Sequence, residues 1–334
     1  MPEGFTAILI AVLGLAVLFD YINGFHDTAN AIATSVSTRA LSPRVAIAMS
    51  ATANFVGALT GTAVAKTIGA GLITHQAEGG LVVAAALIGA IVWNLLTWRL
   101  GIPSSSSHAL IGGLLGASAA AVGFSAWLVD GILGKVILPL VGSPIAGFAI
   151  GFALMVLIFH VFRRAHPKTM NDRFRRLQVL SAAYMAFSHG SNDAQKTMGV
   201  MTLALVSAGV LTEFKVPLWV IILAASAISL GTAAGGWRII RTMGTKVVKL
   251  DPVHGFAAET TAASVIFGAS ILGMPVSTTH VISSAILGVG SSDQFRAVHW
   301  GVARRIGIAW VLTLPASALV AALSYLVLHP FLGS

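Results

Sequence analysis

Apolar stretches longer than the ~18 residues that cross a hydrocarbon layer recur along this chain. Such stretches read as spanning helices. Only 9% of the 334 residues are charged, against about 25% in ordinary soluble domains, and the mean hydropathy is +0.89. The composition therefore defines an all-α integral membrane protein. Glu3 and no basic residue precede the first apolar stretch, so it is expected to be a retained helix and not a cleaved signal. Cysteine is absent, which removes disulfide and thiolate chemistry. The 20 Lys+Arg against 11 Asp+Glu give a net charge of +9. These basic residues gather in loops, which points to membrane orientation and a lipid environment, with no nucleic acid as partner.

The largest charge cluster lies mid-chain: Arg163, Arg164, Lys168, Arg173, Arg175 and Arg176, opposed only by Asp172. Basic loops stay cytoplasmic, so residues 163–176 are expected to form a cytoplasmic linker between a first membrane repeat, 1–162, and a second, 177–334. Corresponding loops carry opposite bias. The loop at 66–80 holds Lys66 and Glu78, whereas its counterpart at 238–249 holds Arg238, Arg241, Lys246 and Lys249. Arg39 and Arg44 flank 40–43, but the matching loop has Glu213 and Lys215. A reversal of this kind is what two inverted-topology repeats produce.

The expected threading has broken helices at 5–38 (interrupted near 20–26) and 177–210. Residues 44–64 and 217–236 span, and 81–122 and 253–290 form re-entrant helical hairpins. The segment 126–162 crosses irregularly because of Pro139 and Pro144, and 303–330 makes the last crossing. An odd number of crossings per repeat places both termini outside.

Two polar clusters each occur twice within the apolar sequence. Gly24-Phe25-His26-Asp27 is answered by Gly190-Ser191-Asn192-Asp193, and Gly101-Ile102-Pro103-Ser104-Ser105-Ser106-Ser107-His108 by Gly273-Met274-Pro275-Val276-Ser277-Thr278-Thr279-His280. The separation is 76 residues from Asp27 to Pro103 and 82 from Asp193 to Pro275. A carboxylate at the bilayer centre costs ~2.5–3.5 kcal/mol on insertion scales and usually lines an ion or substrate path. Duplicated carboxylates imply one central site built from two related halves.

Asp27 and Asn30 are three apart on one helical face. With Asn23 nearby they offer the oxygen ligands of a hard coupling cation, and the duplicated motif repeats the carboxylate through Asp193. Gly24 and Gly190 would allow local unwinding that frees backbone carbonyls. The plainer alternative is a polar helix–helix contact. In the second motif, proline suits the first turn of a helix, so Ser104, Ser105, Ser106 and Ser107 would present hydroxyls and free N–H groups at a positive helix end. Ser277, Thr278 and Thr279 repeat the arrangement, and both are anion sites. Here the alternative is that small residues merely permit close packing.

Lys196 occupies the position equivalent to Asn30, where an ammonium could pair with the anion or replace one coupling cation; otherwise it would snorkel to an interface. His26 and Glu259 are candidate proton carriers. His108, His189 and His280 read as hydrogen-bonded structural residues, and Asp20 as part of a helix break.

The segments Asn23–Asn30 and His189–Lys196, with the paired Pro-x-Ser/Thr runs, resemble the signatures of the inorganic phosphate transporter (PiT) family, in particular its bacterial low-affinity branch. The similarity runs essentially end to end. It implies a homodimeric secondary transporter of the cell membrane, not an enzyme, that imports phosphate by symport with H⁺ or Na⁺. No cofactor is bound covalently. Position by position, the resemblance assigns Asp27, Asn30, Asn192 and Asp193 to cations, and Ser104–Ser107 with Ser277–Thr279 to phosphate. Lys196 departs from the Na⁺-coupled pattern and matches the branch associated with proton-coupled uptake of phosphate with a divalent metal. The same family includes sulfate permeases. An intramembrane hydrolase is the competing class, but a nucleophile has no reason to occur twice and no Gly-x-Ser-x-Gly elbow is present.

Overall fold

The computed structural model describes residues 3–74, 79–293 and 295–332; Glu78, named above in a loop comparison, lies outside them. Among the described residues every regular element is a helix, and the β interaction is one isolated bridge between Ile73 and Trp127. Helices satisfy their own backbone groups, which lipid cannot do for them.

Helix α1 (Glu3–Ser37) is followed by α2 (Pro43–Ala58) and α3 (Ala63–Ala70), which are bent 71° from one another. A hairpin of α4 (Gly80–Leu100) and α5 (Ser106–Val122) comes next. Then a short α6 (Val129–Ile132), a π-turn at Leu133–Ile137 and α7 (Leu138–Val161) form one irregular crossing. The order recurs. α8 (Pro167–Ser207) precedes α9 (Leu218–Ala234), which meets α10 (Trp237–Arg241) and its π-turn at 61°. The second hairpin is α11 (Pro252–Ile271) and α12 (Thr278–Asp293), and α13 (Trp300–Leu332) closes the fold. Four helices among the described residues are long and apolar enough to cross a membrane, or up to six with each bent pair taken as one span.

Both hairpins turn on a glycine in the left-handed region, Gly101 at φ 66° and Gly273 at φ 67°. A side chain would be strained there, and the proline two residues on starts the chain toward the next helix. Polarity is distributed inside out. Lys196 and Asp193 are 1% and 0% exposed, while Val311 and Leu138 are 75% and 67% exposed. Exposed apolar side chains of this kind suit a lipid surround, and the buried Lys196 and Asp193 pair with each other.

Two expectations are corrected. Neither α1 nor α8 breaks at its motif: both run unbroken through residues 20–26 and 177–207. Their glycines serve packing instead. A Cβ on Gly24 would stand 2.3 Å from the carbonyl oxygen of Ile228 in α9, and one on Gly190 would stand 2.1 Å from that of Asn54 in α2. The breaks fall in the bent pairs and hairpin crests. Arg163 and Arg164 lie in the turn after α7, but from Pro167 onward the chain is already α8. At 41 residues and 1.5 Å each, α8 extends ~60 Å, twice the ~30 Å hydrocarbon thickness. Its charged first turns therefore have room to project beyond the lipid.

Candidate functional site

The starts of α5 and α12 converge on the middles of α1 and α8. The hydroxyl of Ser106 donates to Asp27 Oδ2 at 2.8 Å, and that of Thr278 donates to Asp193 Oδ2 at 3.2 Å. These are corresponding pairs from the two sets of motifs. The halves are also crossed. Asn30 Nδ2 donates to Thr279 Oγ1 at 2.8 Å and lies 3.3 Å from Thr278 Oγ1. At the equivalent position, Lys196 donates to Ser107 of the first half and pairs with Asp193. Its third N–H reaches the Val276 carbonyl at 3.1 Å, so the buried ammonium has no idle donor.

The two helix starts abut. Ser107 Oγ donates to the carbonyl of Val276, just ahead of α12, at 3.1 Å, and the rings of His108 and His280 are centred 4.8 Å apart. Ser105 and Ser277 cap their helices, each accepting from the N–H three residues on, at 3.1 and 3.2 Å. One ligand atom from each of Asp27, His189 and Asp193 lies within 4.8 Å of the others. Two carboxylates, an ammonium, an imidazole and four hydroxyls thus share one buried centre. It can hold cations at the carboxylates and an oxyanion at paired positive helix ends.

The other candidates stand around this centre. His26 Nδ1 is 2.7 Å from Asp27 Oδ1, and its Nε2 is 3.1 Å from Thr97 Oγ1 and 3.4 Å from Ser104 Oγ. Ser104 itself donates to Thr97 at 2.8 Å, so it buttresses Asp27 through His26. Asn192 turns to the crest of the second hairpin, donating to Ser270 at 2.9 Å and to the Met274 carbonyl at 3.2 Å. Asn23 makes no hydrogen bond through its side chain. Glu259 forms a separate buried cluster, accepting from Thr34 and Ser181 at 2.5 Å and from Gln178 at 3.1 Å.

His189 belongs to the centre although its sequence context suggested a structural role. Its Nε2 is 3.1 Å from Asp193 Oδ2, and its Nδ1 is 3.0 Å from Asn54 Oδ1. The i,i+4 spacing to Asp193 was the available signal. Asn54, Thr97 and Ser270 carry no motif and could be found only in three dimensions.

Fold and site together define a polytopic helical membrane transporter with a buried binding centre. The chain belongs to the phosphate transporter family, which matches residues 23–321. It is 51% identical over 325 residues to a "probable low-affinity inorganic phosphate transporter" of Bacillus subtilis (strain 168), covering 96% of this chain and 97% of that protein. A counterpart so described in Mycobacterium tuberculosis (strain ATCC 25618 / H37Rv) is 47% identical over 328 residues, covering 98% and 78%. A solved structure, "The sodium-dependent phosphate transporter", superposes with a TM-score of 0.90 at 27% identity, covering 97% of this chain and all of that one. Family and relatives are transporters, not enzymes.

Proposed function

We propose that this chain imports inorganic phosphate across the cell membrane by symport with H⁺ or Na⁺. The observation that carries the proposal is the pairing of Asp27 with Ser106 and of Asp193 with Thr278 at two abutting helix starts. Phosphate at neutral pH bears about −1.5 to −2 charge. Moving a dianion inward against 100 mV, interior negative, costs ~4.6 kcal/mol, at ~2.3 per charge. Asp27 and Asp193 add further negative charge at the site. A centre without cations therefore repels phosphate, and cations bound at the carboxylates create the positive surroundings that the anion needs. Lys196 supplies one fixed positive charge in place of a mobile ion.

In this reading the two halves are inverted repeats, the hairpins enter and leave from one side, and both termini lie outside. The basic residues 163–176 face the cytoplasm, and two copies assemble as a homodimer. Concentrative uptake of radiolabelled phosphate into proteoliposomes tests the proposal. Uptake should follow an imposed ion gradient and stop when the gradient is collapsed. Collapsing the pH or Na⁺ gradient separately identifies the coupling ion, omission of divalent metal tests metal–phosphate uptake, and excess sulfate tests the sulfate alternative. Phosphate equilibration without gradient dependence would make the protein a channel and sink the proposal.

A further inference from the structure

The outer side of the second hairpin is not closed. A crevice of about 480 Å³ lies between α7 and α11, lined by residues of α7 from Leu138 to Ile150, residues of α11 from Ser264 to Leu272, and Met274 and Val276 of the crest. That volume is in the range of a small-molecule site, ~300–1,000 Å³. Leu138, Ile150 and Leu272 along it are 67%, 47% and 63% exposed, so the crevice opens sideways onto the apolar exterior, while Val276 at its inner end is buried. The corresponding pair in the first half is closed. There α13 sits directly on α4, and a Cβ on Gly89 would stand 2.7 Å from the carbonyl oxygen of Ser317. Gly142 of α7 and Gly268 of α11 both line the crevice, and a Cβ added to either would meet nothing within 4 Å.

The lining calls for an apolar occupant. Its two hydroxyls are already committed, Ser143 donating to the Pro139 carbonyl at 2.6 Å and Ser264 to the Thr260 carbonyl at 2.8 Å. The helix rises ~18 Å from Leu138 to Ile150 at ~1.5 Å per residue, close to the ~15 Å of one leaflet of a ~30 Å hydrocarbon core. Lys135 is exposed three residues before Leu138, at the end of that run. Its long stem can lie along apolar surface while the ammonium reaches the interface, where it complements the charge of a phosphate.

We infer that this crevice binds one acyl chain of an anionic bilayer phospholipid, with the lipid phosphate held at Lys135. The tail lies against Val276, whose carbonyl accepts from both Lys196 and Ser107. The lipid therefore backs the crest on which the two helix starts meet. A second copy of this chain is the competing occupant, and the experiment separates the two.

The purified full chain would be stripped of lipid in detergent, given phosphatidylglycerol, washed, and counted for bound lipid and for copies by native mass spectrometry. The parent should retain one phosphatidylglycerol per chain. Gly142→Leu and Gly268→Leu, which fill the crevice without striking backbone, should each lose it, and Lys135→Ala should lower retention several-fold. Gly14→Leu, on α1 and equally open, should retain lipid as the parent does. A parent that retains none overturns the site, and so does full retention by both crevice variants. A crevice variant that keeps its lipid but changes the number of copies also overturns it, assigning the face to a second chain. If the leucine variants fail to elute as folded species, the exposed Lys135→Ala decides, and unchanged retention there overturns the proposal.

Discussion

Asn30 on α1 donates to Thr279 at the start of α12 across 2.8 Å, tying the long helix of the first half to the hairpin of the second. Lys196 and Ser107 make the corresponding contact in the other direction. The centre is held together by each half gripping the other. Thr279→Val should therefore leave a buried amide donor with only the longer contact to Thr278. Loss of a buried partner costs about 1–3 kcal/mol, to be read as a lower thermal midpoint in detergent, and phosphate uptake should fall with it.

Asp27→Asn and Asp193→Asn should each reduce uptake to background while the protein still elutes as a folded species. The substitution keeps shape and most hydrogen-bonding capacity but removes the charge that attracts the coupling ion. Uptake at the parent rate by either variant would refute the assignment.

Removing Lys196 tests the buried ion pair. Lys196→Met takes the ammonium from the fully buried Asp193 and leaves it only Thr278 and His189, and breaking such a pair by deleting one partner costs ~3–5 kcal/mol. Adding Asp193→Asn to that background should restore part of the lost stability, because the stranded charge disappears. Lys196→Asn, which recreates the residue at the first-half position, should alter the ion dependence of uptake. An unchanged pH and Na⁺ profile would count against an electrostatic role.

The glycines of the duplicated motif make a prediction about packing. Gly24→Ala and Gly190→Ala each place a methyl group against backbone, at 2.3 and 2.1 Å, and should destabilise by at least ~1–3 kcal/mol. Gly14→Ala, on the same helix as Gly24 but with no atom within 4 Å of the added carbon, should behave as the parent. Equal yields of folded protein from all three would contradict the helix crossings.

Asp251 starts α11 from the loop before it, outside the spanning helices. Its Oδ1 accepts from the N–H of Val253 and His254 at 2.9 and 3.0 Å and lies 2.7 Å from His254 Nδ1. Partial burial works to raise its pKa, but the His254 side chain and the two backbone donors outweigh it, so the carboxyl sits below its ordinary 3.8. The stabilisation is therefore present above the ordinary value and is lost as pH falls through the lower folded one. Asp251→Ala should cost about 1 kcal/mol as a lost cap, with Asp251→Asn retaining most of it. A thermal midpoint identical in all three would remove the cap from the account.

How much was readable in advance differs between features. The hairpins at Gly101 and Gly273, the irregular crossing before Pro139 and the all-helical class follow from local signals: apolar run length, glycine beside proline, and the duplicated spacing. The expected break at Gly24 and Gly190 did not hold. A glycine in a helix reads the same whether it unwinds the chain or admits a neighbour, and only the positions of Ile228 and Asn54 distinguish the two.

The amino-acid order alone determined that the chain is a helical membrane protein and that two carboxylates and two hydroxyl runs recur in matched positions, because these properties depend on composition and spacing. The tertiary structure alone decided which of those groups meet. It turned Ser106 to Asp27, Lys196 to Ser107, and Asn192 away to Ser270, and it brought His189 and the motif-free Asn54 and Thr97 into the assembly. Contacts between residues some 70 or more positions apart are set by how helices cross, and crossing depends on the whole set of packed faces rather than on any one segment.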